Sequence, residues 1–433
     1  MRRDLTIFRH HRFLLLFSAR TSSVLGASIG PVALAFGILD LPHGSPTMLS
    51  VVLAANSVTL LIFLLFGGVV ADRLPRYRVM YGADALSGVA WAVIGVMLLT
   101  GWAPTWAMAT AAAFAGIGSA LFWPAMVGVV PEVVPADRLQ AANGLLRLGT
   151  NGARILGFAL AGGLVALVGA GWAMLLNAAG FLVSAALLVR LRLPRTGTIE
   201  ASHVLRDLHD GWKEFVSRQW LWVVVLQFSV LVGGLEMFYG VLGPVVAKRD
   251  LGGAPAWSLV LAGESVGMLV GVFIAIRIRP RRPMLLGVLL TFPLSFAPLL
   301  LGLRMPLAVV AAGALVGGAC IDIFGVLWET AMQREVPPAA LSRVSSYDAL
   351  GSLMFGPIGL VAAGPLADAL GTDGALLFCA GTIIVPTALA LLSPGVRTMR
   401  MRPAPEGEAS PIDTGEHRTT QPVAVAEVAG TAI

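Results

Sequence analysis

Long apolar stretches separated by short polar segments run through most of this sequence of 433 residues. A helix that crosses the hydrocarbon core of a bilayer needs about 20 apolar residues. The sequence contains twelve stretches of about this length, and the gaps between them are too short to hold a soluble domain. The predicted spans are roughly 13–37, 48–71, 79–100, 104–130, 140–168, 171–192, 220–246, 256–276, 284–303, 306–333, 343–370 and 374–393.

The composition agrees with this pattern. Hydrophobic residues make up 57% of the chain and charged residues only 12%, and the mean hydropathy is +0.83. A soluble domain carries about 25% charged residues. We therefore expect an all-α membrane protein with twelve transmembrane helices in contact with the lipid bilayer.

The positive charges indicate how the chain is oriented. If the amino terminus is cytoplasmic, 24 of the 30 lysine and arginine residues lie in inner segments or their flanks, and three lie in outer loops. Membrane proteins carry their excess of lysine and arginine in cytoplasmic loops, so both termini are predicted to be cytoplasmic. The net charge of +6 thus comes from short loops between helices, and no nucleic acid partner is expected.

An internal repeat divides the chain into two parts. At a shift of 202 residues, Pro135 coincides with Pro337 and Gly157 with Gly359. Two parallel six-helix repeats, related by pseudo-symmetry, are typical of secondary transporters. The predicted units are an N-terminal six-helix bundle over 1–192, a cytoplasmic linker with a lateral amphipathic helix over 193–219, a C-terminal bundle over 220–395 and a disordered cytoplasmic tail over 396–433.

Three motifs occur in the order found in a known family. They are Gly68-x-x-Ala71-Asp72-Arg73-x-x-Arg76-x-Arg78 after span two, Pro131-Glu132-x-x-Pro135-x-x-x-Leu139-x-x-Ala142-Asn143 before span five, and Gly356-Pro357-x-Gly359-x-x-x-x-Gly364-Pro365-Leu366-Ala367-Asp368 in span eleven. With them the chain resembles the major facilitator superfamily over nearly all of residues 1–395. Within that superfamily it is similar to the bacterial exporter branch that includes siderophore exporters and macrolide efflux proteins.

The sequence departs from the family patterns at three places. Pro75 stands where the loop motif usually has glycine, so the turn should be stiffer. Span four contains no arginine, whereas many proton-linked drug exporters carry one there. Gly157-Phe158 replaces the Gly-Pro that is typical of an antiporter motif in span five.

The loop after span two is a candidate inner gate. In the fold that the resemblance implies, the inner end of span two meets the start of span eleven, and a carboxylate near a helix amino terminus is stabilised. We expect a latch that favours the outward-facing state, with Asp348 completing the gate; the alternative is that the charges only stop and orient helices. The predicted gate residues are Gly68, Asp72, Arg73, Arg76 and Asp348.

Charges within spans are costly in lipid, at about 2.5–3.5 kcal/mol on insertion scales. The resemblance implies that spans one, four, seven and ten line a central cavity, where Glu236 and Asp322 are the candidates for proton coupling. An interhelical hydrogen bond or ion pair without a role in turnover is the alternative for each of them. The further candidates for the substrate cavity are Arg20, Phe122, Trp123, Gln227, Phe238, Tyr239, Trp328 and Glu329.

Other charges within spans are expected to have structural roles. Arg147 and Arg154 are seven residues apart on one face of span five, and Arg154 is a candidate partner for Glu264 across the two halves. Asp84 is placed close enough to the inner surface to be hydrated.

No other chemistry is indicated. The sequence has no Walker phosphate-binding loop, no histidine and cysteine cluster with the spacing of metal ligands, and no nucleophile and base pair, so no enzyme, cofactor or metal site is expected. The resemblance implies a monomeric secondary transporter in the bacterial cytoplasmic membrane that exports an amphipathic small molecule by alternating access, with protons as the coupling ion. The alternatives are an importer or facilitator of the same fold and a non-transporting membrane receptor or scaffold.

Overall fold

The computed structural model describes residues 10–134, 138–191 and 212–400, apart from the side chains of residues 65–73, 127, 128, 131, 140, 141, 338, 339 and 342. The first six helices are α1 (His11–Leu39), α2 (Pro46–Arg73), α3 (Arg76–Thr100), α4 (Thr105–Val133), α5 (Leu139–Val168) and α6 (Ala170–Val189). The second part contains α7 (Gln219–Met237), a π-helix (Phe238–Leu242), α8 (Gly243–Asp250), α9 (Ala254–Ala275), α10 (Pro283–Leu289), a 3-10 helix (Phe292–Ser295), α11 (Phe296–Gly302), α12 (Leu307–Glu335), α13 (Pro338–Leu353), α14 (Gly356–Ala390) and α15 (Pro394–Thr398).

Eleven candidate membrane helices occur among the described residues. The first ten match the first ten predicted spans, and the eleventh, Arg343–Ala390, is 48 residues long. Gly371 interrupts this last element with φ 72° and ψ 162°, which are not helical angles. Gly371 lies between predicted spans eleven and twelve, and the total of twelve helices stays a prediction.

Proline and glycine set several helix boundaries. Pro283 and Pro338 lie in the first turn of α10 and α13, where a missing N–H costs no hydrogen bond. Gly101 follows the last residue of α3 with φ 73°, a left-handed conformation that ends helices and that glycine adopts without steric cost.

The seventh span contains a widened turn. Helix α7 continues through the π-helix Phe238–Leu242 into α8 without leaving the helical path. A π-turn accommodates an extra residue in an α-helix and is frequently found at functional sites. Here it begins two residues after Glu236, at the midpoint of the span.

The two parts of the chain pack in the same way. In the N-terminal half α2 packs on α4, α3 on α6, and α1 on both α5 and α6. In the C-terminal half the corresponding pairs are α9 with α12, α11 with α14, and α7 with both α13 and α14. This repetition is the physical counterpart of the repeat in the sequence.

Two helix pairs make the most extensive contacts between the halves, α5 with α9 and α2 with α14. The α5 and α9 helices approach closely at Gly162, where an added Cβ atom would lie 2.6 Å from the carbonyl oxygen of Ala254. Small residues allow such close approach between helices in membranes.

The buried core is shared at one end of the molecule and divided at the other. One cluster of buried apolar side chains contains residues of both halves, from Phe36 in α1 to Trp257 in α9. Near the described chain ends, residues 10 and 400, each half has its own cluster, around Phe13 in one and Trp220 in the other. The halves are therefore closed against each other at the far end and separate at the end that holds the chain ends.

The predicted linker and tail lie mostly outside the described residues, which begin again at Trp212 and stop at 400. Residues 212–216 are helical. Trp212 and Phe215 pack on Tyr347 of α13, at 5.5 and 6.0 Å between ring centres. Helix α15 buries Val396 against the C-terminal half, so the first residues assigned to the tail are folded.

Candidate functional site

A pocket of about 270 Å³ lies inside the N-terminal half. Arg20 enters it from α1, with its guanidinium carbon 5.1 Å from the ring centre of Phe122 and 5.3 Å from that of Trp123. A guanidinium group within about 6 Å of an aromatic ring centre is attracted to the ring. The two rings therefore hold the charge of Arg20 in place, and three of the predicted cavity residues come together here.

The same pocket contains Asp84, which the sequence interpretation placed near a hydrated surface. Only 2% of its surface is exposed, and the hydroxyl group of Ser184 on α6 donates a hydrogen bond of 2.5 Å to its Oδ2 atom. Asp84 also interacts electrostatically with Arg20. Helical spacing in the sequence could have indicated that Asp84 is buried. Ser87 and Gly88 follow Asp84 by three and four residues, and all three lie on one buried face of α3.

A second pocket, of about 290 Å³, lies in the C-terminal half. Glu236, Tyr239 and Glu264 all line it. The side chains of Tyr239 and Glu264 form a hydrogen bond, whereas Glu236 is solvent-exposed although it lies at the middle of a span. An exposed carboxylate at this depth lies in a hydrated space between the halves, because charged side chains in lipid are costly.

Arg154 connects the two pockets. It lines the N-terminal pocket, and its Nη1 atom lies 3.8 Å from the sulphur of Met268, which lines the other pocket. Arg154 interacts electrostatically with Glu264, but the ion pair predicted between them is not formed: Arg154 contacts Met268 and Glu264 bonds to Tyr239. Asp322 on α12 interacts electrostatically with both Arg154 and Arg147 of the opposite half.

Three predicted cavity residues lie instead inside packed cores. Phe238 has no exposed surface and contacts the ring of Trp257 edge-on at 5.5 Å. Gln227 is 3% exposed and donates hydrogen bonds to the hydroxyl groups of Thr291 and Thr387, at 3.1 and 3.0 Å.

Trp328, the third of these, is buried in an aromatic column with Phe324 and Trp220. Its indole N–H donates a hydrogen bond of 2.9 Å to Oδ2 of Asp348. The neighbouring predicted residue, Glu329, is exposed.

The candidate gate is described only in part. The side chains of Gly68, Asp72 and Arg73 lie outside the described residues. Arg76, at the start of α3, forms an ion pair of 3.0 Å with Glu132 at the end of α4, within the same half.

These features define a class of protein. The part of the chain that the structure describes holds no group of three or more histidine, cysteine, aspartate or glutamate side chains that could bind a metal ion. Charged and aromatic side chains instead line one pocket in each of two similar helical halves, which close against each other at one end. This is the arrangement of a membrane transporter that moves its substrate between two halves.

The chain belongs to the Major Facilitator Superfamily, whose family model matches residues 13–352. It is a multi-pass membrane transporter and not an enzyme. The predicted family and the all-α membrane fold are confirmed.

Three curated relatives are similar over most of their length. The chain is 28% identical to the multidrug efflux pump Tap of Mycolicibacterium fortuitum over 90% of this chain and 98% of that protein. It is 26% identical to the enterobactin exporter EntS of Escherichia coli, over 91% and 94% of the two chains. It is 22% identical to macrolide efflux protein A of Streptococcus pyogenes, over 90% and 96%.

Solved structures share the fold at low sequence identity. A bacterial homologue of the human lysosomal transporter Spinster, in an inward-facing and unoccupied conformation, matches with a TM-score of 0.71 at 15% identity, over 92% of this chain and 99% of that one. A variant of the nucleoside transporter NupG matches with a TM-score of 0.73 at 13% identity, over 88% and 99%.

Proposed function

We propose that this protein exports an amphipathic small molecule across the bacterial cytoplasmic membrane by alternating access, in exchange for protons. It acts as a monomer with both termini in the cytoplasm. Three relatives whose names describe export of drugs, a macrolide or a siderophore compound support this direction and substrate class.

One observation carries the proposal. The halves share an apolar core at the end far from residues 10 and 400 and have separate cores near those residues. With cytoplasmic termini, the space that holds Glu236 and Arg154 opens to the cytoplasm. An exporter loads its substrate from that side.

Glu236 is the favoured proton carrier. It is exposed to the central space, and none of the ion pairs among the described residues includes it. In the proposed cycle its carboxylate takes up a proton when the space opens outward and releases it when the space opens inward. Asp322 is the second candidate, and it interacts electrostatically with Arg147 and Arg154 of the opposite half.

Asp72, Arg73 and Arg76 are proposed to latch the inner ends of the halves in the outward-facing state. Removing the charge in the variant Asp72→Asn should increase the labelling of a cysteine placed in the inner part of the cavity. Unchanged labelling together with unchanged transport would remove the latch from the proposal.

Transport into inverted membrane vesicles tests the function. Inverted vesicles that hold the full chain should accumulate dyes or macrolides when the interior is acidified, and should lose them when the gradient is collapsed. Glu236→Gln should bind substrate but no longer respond to the gradient, and Asp322→Asn is its matched comparison. Accumulation that does not respond to the gradient with any substrate would contradict proton antiport, and uptake in the opposite direction would indicate an importer.

A further inference from the structure

The two walls of the central space carry opposite charge. The charges within the spans of the N-terminal half are Arg20, Arg147 and Arg154, with Asp84 as the one acid among the residues that line its pocket. The C-terminal half has only acids at mid-span, and two of them line its pocket: Glu236 and Glu264.

These charges interact electrostatically across the space, but they form no ion pair there. The ion pairs between described residues include none of the three arginines. Arg154 contacts Met268 of the opposite half, an uncharged residue. Arg20 is held between two aromatic rings, and the hydrogen bond of Asp84 is to Ser184, so the pocket keeps a net positive charge.

The two pockets also lie next to each other. Arg154 lines the first and Met268 lines the second, and the two side chains touch. Together the pockets offer roughly the sum of 270 and 290 Å³, within the range of about 300–1,000 Å³ that small-molecule sites occupy.

We propose that this site binds an amphoteric molecule in one orientation. An anionic group of the substrate lies against Arg20 and Arg154, a cationic group lies against Glu236 and Glu264, and a planar apolar body lies between them beside Trp123. The inference rests on the proposed function, because it assigns the substrate class of that same central space. Two opposite charges at a fixed separation in the site favour one orientation of the substrate as well as a substrate with matching charges.

Binding of a matched set of dyes to the full chain, purified in lipid nanodiscs without any gradient, tests this inference. Rhodamine B carries both a carboxylate and a cationic ring system, its methyl ester keeps only the cation, and fluorescein is anionic. The wild-type protein should bind rhodamine B about tenfold more tightly than the ester, because a hydrogen bond between charged groups typically contributes that much to affinity.

The variants separate the two ends of the site. Arg154→Gln, and independently Arg20→Gln, should lower the affinity for rhodamine B to that for the ester and leave the affinity for the ester unchanged. Glu264→Gln should lower the affinity for rhodamine B and for its ester by about tenfold and leave the affinity for fluorescein unchanged. Two control variants far from the site, Arg304→Gln and Glu214→Gln, should bind all three dyes as the wild type does.

Binding of the ester also reports that each variant is folded. A wild-type protein that does not bind rhodamine B more tightly than its ester, including one that binds neither, overturns the proposal. An equal loss of affinity for rhodamine B and for its ester, in both Arg154→Gln and Arg20→Gln, overturns it as well. Because no gradient is present, a preference for rhodamine B can be found even if proton-driven export fails in vesicles.

Discussion

Lys248 of the C-terminal half and Asp40 of the N-terminal half form an ion pair, with 2.7 Å between Nζ and Oδ1. Lys248 also donates a hydrogen bond to the carbonyl oxygen of Leu39. The pair lies at the end of the molecule where the halves share one core. It must therefore break whenever that end opens.

Asp40→Asn should make outward opening more frequent. An exposed ion pair contributes about 0.2–1 kcal/mol, so the labelling rate of a cysteine behind the pair should rise about 1.4- to fivefold. Leu53→Cys provides that position, because a Cβ atom added to Gly240 of the other half would lie 3.2 Å from the Leu53 side chain. The measurement uses a membrane-impermeant maleimide on protein in which Cys320 and Cys379 are replaced by alanine.

Asp250→Asn is the matched control for that change. Asp250 pairs with its neighbour Arg249 within one half, so its loss should leave the labelling rate unaltered. Equal rates in Asp40→Asn and the unmodified background would contradict the role of the ion pair.

Gly162→Ala should prevent complete closure of the same end. The added Cβ atom would lie 2.6 Å from the backbone of both Ala254 and Pro255, and backbone atoms cannot move aside as a flexible side chain can. Overpacking of this kind costs about 1–3 kcal/mol. We expect faster labelling of Leu53→Cys and slower transport.

The next residue supplies the control for this variant. An added Cβ atom on Gly163 meets no atom within 4 Å, so Gly163→Ala should resemble the wild type in labelling and transport. If both variants were equally impaired, helix propensity or insertion would explain the effect better than contact between the halves.

Gln227→Leu should lower stability and leave substrate affinity unchanged. Gln227 joins α7 to Thr291 and Thr387, whose hydroxyl groups lie 3.0 Å from each other. Interhelical hydrogen bonds in membranes contribute about 1–2 kcal/mol in model peptides. Thermal unfolding in detergent checks the loss, with Gln219→Leu at the exposed start of α7 as comparison. A variant of normal stability that fails to bind dye would return Gln227 to the list of cavity residues.

The contributions of Arg76 and Glu132 to the stability of the protein should not be independent of each other. Their side chains are 29% and 14% exposed, so the pair is better shielded than a surface ion pair. Removal of both charges, in Arg76→Gln with Glu132→Gln, should cost less stability than the sum of the two single changes. Thermal unfolding of the four proteins of this double-mutant cycle gives the coupling energy. Arg78→Gln combined with Glu132→Gln should give additive losses.

The spans and the family could be predicted from the sequence because both depend on local properties. Twenty apolar residues suffice to define a membrane helix, and the cost of charge in lipid marks Arg20 and Glu236 as functional. Arg20 lines the pocket of the N-terminal half and Glu236 lines the pocket of the C-terminal half.

The contacts within the site could not be predicted in the same way. Asp84 is buried because it meets Ser184, which is 100 residues away in the chain. The position of Asp84 along its own span therefore does not reveal which side chains surround it. Phe238 and Gln227 lie on a helix that is apolar nearly all round, so its pattern does not distinguish the face toward the cavity from the face toward other helices. The break after residue 370 follows from the apolar runs on either side of it, but the conformation of Gly371 does not, because glycine adopts both helical and non-helical angles.

The π-helix at 238–242 also affects how this protein is compared with others. Each residue advances an α-helix by about 100°, so one extra residue rotates everything that follows it. The residues after Leu242 therefore lie at different angles around the helix axis from those that an uninterrupted α-helix through Glu236 would give them. An alignment with a protein whose seventh span is an uninterrupted α-helix requires a gap of one residue within 238–242. Without that gap, each position of α8 would be assigned to a face of the helix about 100° away from its own, and engineering by homology would change the wrong side of the helix.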